Sequence, residues 1–304
     1  MHACTFLTEL KLNNTIQYVF RVLLGILFLF SATAKLIGID AFELYLFSFG
    51  WFPLGTAYLL ARLVIAAEYT LGLLLIANFW PRLSFWASLA LLAGFTIFLG
   101  VLAATGNRDN CNCFGELVNL NPVQSIWKNL GMLGLLLLSA DVRPFQIKHQ
   151  GLWFALAAVV PLATVLIVSP PDNWRYDSYV GRDMINEPAF REAVEQGILP
   201  HSVVEGDHVV CFYSLRCNFC KMSARKLMTL RERGDFPNAP IIALIGRGED
   251  TDTTPFLSET GFRPDELHFI EPADFVRITN GSMPLILIMH DATIAEKYNY
   301  RNLH

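Results

Sequence analysis

The chain has 304 residues, room for about two domains, with 23 Lys and Arg against 27 Asp and Glu and a net charge of −4. It carries no basic block, so nucleic acid is not an expected partner, and its 7 His are scattered without metal-ligand spacing, so no metal is expected. The 6 Cys do not suit the disulfide framework of a short secreted chain, because four of them fall in two close pairs.

Hydrophobic residues make up 53% of the chain and concentrate before Ser169, which implies a membrane half followed by a soluble half. The first span reads from Tyr18 to Ile37 and lacks a small-residue cleavage site after it, so it is read as a span that stays. Cys4, before it, is read as a free thiol. Ala41 to Phe52 is aromatic-rich, carries Glu43, and is expected to lie along the membrane interface. Further spans read from Tyr58 to Phe79, Leu83 to Ala104, Val123 to Ala140, and Leu152 to Val168, the last with a kink expected at Pro161. Each is near the length that roughly 30 Å of hydrocarbon requires, so the lipid bilayer is the first partner.

Basic residues in short loops give an orientation. With the N-terminus in the cytoplasm, Lys11, Arg82, Arg143 and Lys148 fall inside, and Asp40, Glu43, Arg108, Asp109 and Glu116 fall outside. An odd number of spans then puts the C-terminal half outside, together with the loop that holds Cys111 and Cys113. Both cysteine pairs would share one oxidising compartment, where disulfides persist. The expected location is the inner (cytoplasmic) membrane, multi-pass, with the soluble domain in the periplasm.

Past Pro170-Pro171, Asp172 to His201 reads as a polar connector with one helix around Pro188 to Gln196. Its roughly thirty residues could reach about 100 Å when extended. An apolar strand, His208 to Tyr213, leads to Cys217-Asn218-Phe219-Cys220 and a helix to about Arg233, with Phe219, Met222, Leu227 and Leu230 on one face. Strands are expected at Ile241 to Ile245, Leu267 to Ile270, Leu285 to Met289 and Thr293 to Tyr298, with helical turns at Thr253 to Glu259 and Asp274 to Ile278. The domains are therefore 1–150, a fifth span at 151–170, a connector at 171–202, and a soluble domain at 203–304.

Cys217 stands at the start of a helix, where unpaired N–H groups and the dipole favour a thiolate, with Arg216 and Lys221 adding positive charge. It is read as the attacking thiol, and Cys220, one turn deeper, as the one that resolves the mixed disulfide. No second Cys-x-x-Cys follows, so a tetrahedral zinc site lacks ligands. Cys211, on the preceding strand, reads as a buried thiol. For Cys111-Asn112-Cys113 a metal half-site, an incidental pair and a redox pair compete. A disulfide closed over one residue lies at the edge of permitted geometry, which makes it labile and favours redox.

The strand, the Cys217-Asn218-Phe219-Cys220 motif and Met283-Pro284 before a later strand resemble the thioredoxin fold over residues 203 to 300. The resemblance implies that Pro284 is cis, faces the dithiol and helps hold a substrate chain. The chain departs from the pattern by ending at His304, where a closing helix is usual; the connector helix is expected to cover that face. The intervening Asn-Phe leaves the direction of electron flow open.

The membrane half, through Cys111-Asn112-Cys113-Phe114-Gly115, Lys128-Asn129, Lys35 and Glu68, resembles the MauE branch of the DoxX-like membrane proteins over residues 15 to 145. That resemblance implies a four-helix bundle linked to maturation of a disulfide-rich periplasmic enzyme beside a thioredoxin-like partner. This chain resembles such a pair fused into one polypeptide.

Ionisable residues inside spans are costly and usually paired or functional. Lys35 and Arg62 are read as snorkelling from span ends, and Glu68 and Lys128 as an inward-facing polar cluster. That cluster either locks the bundle or binds a quinone head group, the one cofactor left open. The function expected is an integral-membrane thiol–disulfide oxidoreductase, catalytic at Cys217, Cys220, Cys111, Cys113 and Pro284, acting on periplasmic client proteins with cysteines. The rival readings are a non-enzymatic membrane-anchored assembly factor and a quinone-linked oxidase like the vitamin K epoxide reductase group. The latter group uses two cysteine pairs within its membrane unit, where this chain has one.

Overall fold

Long apolar runs form the first helices of the computed structural model: α1 (Asn14–Ile37), α2 (Ile39–Ser48), α3 (Leu54–Ala77), α4 (Pro81–Ala104), α5 (Pro122–Leu138) and α6 (Gln150–Val168). The structure describes residues 13–104, 122–145, 148–175, 184–248 and 251–304. It divides into two units, Met1–Leu46 with Thr56–Pro170, and Phe47–Gly55 with Pro171–His304. Cys4, Arg108, Asp109, Cys111, Cys113 and Glu116 lie outside the described residues.

Helices α1, α3, α4 and α6 are long and apolar enough to cross a membrane. Helix α5, with 17 residues, spans about 26 Å, at the short end of the crossing range. Asn13 caps α1 by accepting a hydrogen bond from the Thr15 amide at 3.2 Å, and α6 runs through Pro161 without a break. Leu24 and Phe28 of α1, Leu75 of α3, Leu92 of α4, and Met132 and Leu136 of α5 form one buried core. Four helices thus share that core, while most of α6 is exposed along its length.

Glycines set the closeness of α1 to α3. A Cβ on Gly72 would stand 2.7 Å from a Leu29 methyl and 2.9 Å from the Gly25 carbonyl oxygen. Only a residue without a side chain lets the two backbones approach so closely.

The ionisable residues of the bundle correct one expectation. Arg62 and Lys35 do not snorkel: they are 0% and 2% exposed. Arg62 pairs with Glu43 of α2 and donates to the carbonyls of Tyr58 at 2.9 Å, Ser169 at 3.0 Å and Pro170 at 3.0 Å. Glu43 of α2 is buried with its neighbour Phe42, both 1% exposed. An unpaired charge in apolar surroundings is far costlier than a paired one, so Lys35 and Arg62 turn inward to Glu68 and Glu43.

The second unit is built on a five-stranded mixed sheet. Its elements are α7 (Glu187–Glu195), β1 (Asp207–Tyr213), α8 (Asn218–Glu232), β2 (Ile241–Gly246), α9 (Thr254–Thr260), β3 (Glu266–Ile270), α10 (Pro272–Thr279), β4 (Leu285–His290) and β5 (Thr293–Tyr298). The strand order is β3-β2-β1-β4-β5. Strand β1 pairs in parallel with β2 and antiparallel with β4. As the central strand it is buried on both faces, which is why Val209 to Tyr213 reads as an unbroken apolar run. An apolar helical half followed by an α/β domain is the fold class the sequence implied.

The stretch expected to be a connector is, from Met184 onward, part of the sheet's own core. Met184, Ile185, Phe190, Ala193, Leu199 and Val203 pack with Val210, Phe212, Ile242 and Leu244 of the sheet and with Phe275 and Ile278 of α10. Asn186 caps α7 through the Ala189 amide at 3.2 Å, and its own amide donates to the Ile278 carbonyl at 2.8 Å.

Candidate functional site

The end of β1 delivers the chain to the Cys-x-x-Cys turn. Cys217 occupies the N-cap of α8, and its sulfur accepts a hydrogen bond from the Cys220 amide at 3.3 Å. Cys220 is fully buried, and its sulfur accepts from the Ser214 amide at 3.5 Å. Both thiols are free, and Cys217 is half-buried. The Cys220 thiol donating to Cys217, joined by the backbone N–H groups of Cys220 and Phe219, outweighs partial burial and draws the Cys217 pKa down from 9.0 to about 6. The same contact, with burial, raises that of Cys220. One thiol is therefore a reachable thiolate near neutral pH, and the other is a protonated thiol one turn below it.

The remaining expected residues fall around this pair unevenly. Met283-Pro284 is a cis peptide. Pro284 lies one position before Leu285, the residue opposite Phe212, and so stands alongside the end of β1. Met283 and Phe219 are 45% and 43% exposed, leaving apolar surface beside the turn. Arg216 is exposed on the turn itself. Lys221 does not serve the thiolate as expected: its Nζ is bonded to Glu259 of α9 at 2.8 Å, and Arg225 shares the same carboxylate at 3.3 Å. Cys211 is fully buried, and burial pushes its pKa up to about 12.

Sequence reasoning missed a group on the outer side of α8. Lys226, 1% exposed, donates to the Tyr300 carbonyl at 2.9 Å. The Tyr300 ring meets Phe219 at 5.8 Å, and the Arg301 guanidinium lies over both rings at 5.7 and 5.8 Å. Arg301 also pairs with the buried Asp172 at 3.0 Å. The spacing Phe219-x6-Lys226 puts both on one helix face, but nothing in the sequence ties that face to residues 300 and 301.

In the helical unit, Lys35 donates to both Glu68 carboxylate oxygens at 2.7 and 2.8 Å and to the Ser31 hydroxyl at 2.7 Å. The rings of Phe42 and Phe95 lie 5.8 and 5.6 Å from its ammonium. Glu68 and Lys128 do share one enclosure: with Lys35, Ser31 and Asn129 they line a cavity of about 20 Å³. That volume admits about one water.

Residues 13–142 match the family model described as methylamine utilisation protein MauE. Over 302 aligned residues the chain is 27% identical to Protein TlpB of Flavobacterium psychrophilum, a match covering 82% of this chain and 81% of the relative. No solved structure matches the chain. The apolar helices and the family match agree: this is a multi-pass membrane protein whose residues 13–142 are similar to the MauE family.

Proposed function

We propose that the chain is an integral-membrane thiol–disulfide oxidoreductase that exchanges electrons between Cys217–Cys220 and Cys111–Cys113 and acts on cysteine-containing client proteins in the periplasm. The observation that carries this reading is the asymmetry of the α/β pair, a half-buried sulfur capping a helix and accepting from the Cys220 amide, with the second sulfur fully buried one turn below it. The similarity to the MauE family and to TlpB supports a membrane context for such chemistry, with the thioredoxin-like domain as its soluble arm.

In the reducing direction, the Cys217 thiolate attacks a client disulfide, forming a mixed disulfide and expelling one client thiolate. Cys220 gives its proton to that thiolate and attacks the Cys217 sulfur. The second client sulfur leaves as a thiolate and takes a proton from water, so the client departs as a dithiol and Cys217–Cys220 closes with the electron pair transferred. The Cys111–Cys113 dithiol restores the reduced pair by the same exchange and is itself left as a disulfide. Client oxidation runs these steps in reverse. Pro284 and exposed Met283 and Phe219 offer the client an edge and an apolar surface.

A Cys220→Ser variant of the full chain tests the relay by trapping Cys217. The expected product is a mixed disulfide with Cys113 or with a client, identified by peptide mass spectrometry. No adduct under oxidising conditions sinks the relay. Full activity of a Cys111→Ser, Cys113→Ser double variant would reduce the membrane half to an anchor. A thiol reagent that cannot cross lipid should label Cys217 and Cys111 from the same side.

A further inference from the structure

The backbone of the Cys217 turn is bonded within itself, the Cys217 amide to the Ser214 carbonyl at 3.2 Å and the Cys220 amide to the Cys217 sulfur at 3.3 Å, but two of its side chains stand outside: Asn218 is exposed and Phe219 is 43% exposed. Yet the Cys220 and Phe219 amides must keep their aim on the Cys217 sulfur for a thiolate to persist there. What lies against the Phe219 ring from outside the helix therefore bears on that aim.

The segment after β5 does this. Leu303 is fully buried and Tyr300 is 3% exposed, so the segment is anchored. The buried ammonium of Lys226, two turns along α8 from Phe219, holds the Tyr300 carbonyl at 2.9 Å and lies 4.9 Å from the centre of its ring. From that anchor the Tyr300 ring reaches back to Phe219, and Arg301 lies over both. The Arg301 guanidinium is itself fixed by two contacts to Asp172, at 3.0 and 3.2 Å.

We propose that residues 299–304 are a strap across α8, and that Arg301 is a positioning residue for the Cys217–Cys220 dithiol, acting through Phe219. The inference rests on the redox reading of that dithiol and adds what holds it in register. A planar guanidinium both stacks on aromatic faces and bonds a carboxylate side-on, and an ammonium does only the second. The charged groups around the turn are Arg216 on the turn, Lys221 closed by Glu259, Lys226 on Tyr300, and Arg301 closed by Asp172; the remaining titratable partner is Cys220.

The test is the pH profile of Cys217 alkylation by iodoacetamide, read peptide by peptide in the full chain in detergent. Wild type should show a midpoint near 6. Arg301→Ala should move it up by about one pH unit, the worth of roughly one lost hydrogen bond to the thiolate, with about tenfold less thiolate well below the midpoint. Arg301→Lys, which keeps the charge and loses the stacking, should move it in the same direction. A profile for Arg301→Ala that superimposes on wild type, or full recovery by Arg301→Lys, overturns the strap. A wild-type midpoint near 9 would instead sink the redox reading of the dithiol and the strap with it. Should Arg301→Ala not fold, Arg301→Lys decides alone: an upward shift supports the strap and an unmoved profile overturns it.

Discussion

The two halves of the chain handle charge in opposite ways. In the helical unit the charges are permanent, and each deeply buried cation described in an ion pair has a carboxylate against it, Lys35 with Glu68 and Arg62 with Glu43. In the α/β unit the charge that matters comes and goes, and no carboxylate or ammonium leads its stabilisation. A thiol and two backbone N–H groups hold it at a half-buried helix end. For Lys35 and Arg62 a counter-charge offsets much of the desolvation, whereas the buried Arg21 guanidinium is met by the Ser84 hydroxyl and the Pro81 carbonyl. For the Cys217 sulfur, fixed N–H groups and a neighbouring thiol do that work and leave its open side to another sulfur.

The strongest way to break this contrast is to remove one member of a membrane pair. Glu68→Ala leaves the Lys35 ammonium bonded to Ser31 alone among these three groups. The expected loss is about 3–5 kcal/mol of folding stability, measured by unfolding the detergent-solubilised protein. The joint Lys35→Met, Glu68→Leu variant should recover most of that loss. A single variant that unfolds like wild type would show that the pair is not what satisfies Lys35.

Why some of this was legible in the sequence and some was not follows from the range of each interaction. Cys217-x-x-Cys220 after an apolar strand could be read directly, because strand burial and helix capping are local. The spans were legible for the same reason. The partners of Lys35 and Arg62 were not, since Glu68 and Glu43 are separated from them in sequence and meet them only through the rotation of whole helices. Residues 184–203 looked like a connector because α7 shows water a charged face, while Phe190 and Ala193 turn inward. Lys221 looked like a helper of the thiolate because it stands next to Cys220, yet its ammonium reaches α9.

A milder perturbation separates close packing from charge in the helical unit. Gly72→Ala sets a methyl group 2.9 Å from the Gly25 carbonyl oxygen, which is backbone and cannot swing away. The cost should be about 1–3 kcal/mol in the same unfolding assay, with the Lys35–Glu68 pair intact. Smaller still is the rate advantage of the dithiol. A pKa of about 6 rather than 9.0 raises the thiolate fraction at pH 7 about 90-fold. Lower basicity removes all but about fourfold of that gain. Stopped-flow exchange with a small disulfide should therefore show Cys217 only severalfold faster than an ordinary thiol at pH 7, and slowing below pH 6. Because the folded thiol has the lower pKa, its contribution to the stability of the reduced domain is present above pH 9 and is lost as pH falls toward 6.

The finest test asks whether side-chain charge matters to Cys217 at all. Glu259 holds Lys221 and Arg225 on an exposed face, and pairs of that kind contribute about 0–1 kcal/mol. Glu259→Gln should therefore barely change the melting temperature. It also releases Lys221, next to Cys220 in the chain, from its counter-charge. If backbone N–H groups and the Cys220 thiol hold the thiolate, the alkylation midpoint of Cys217 stays where it was. A midpoint that falls clearly in this variant would mean that a mobile ammonium can take over the task, and the contrast between the two halves would be one of degree. The expectation is no movement, because a solvated lysine is screened by water at the distances its stem allows, whereas an amide one turn away is fixed by the helix itself.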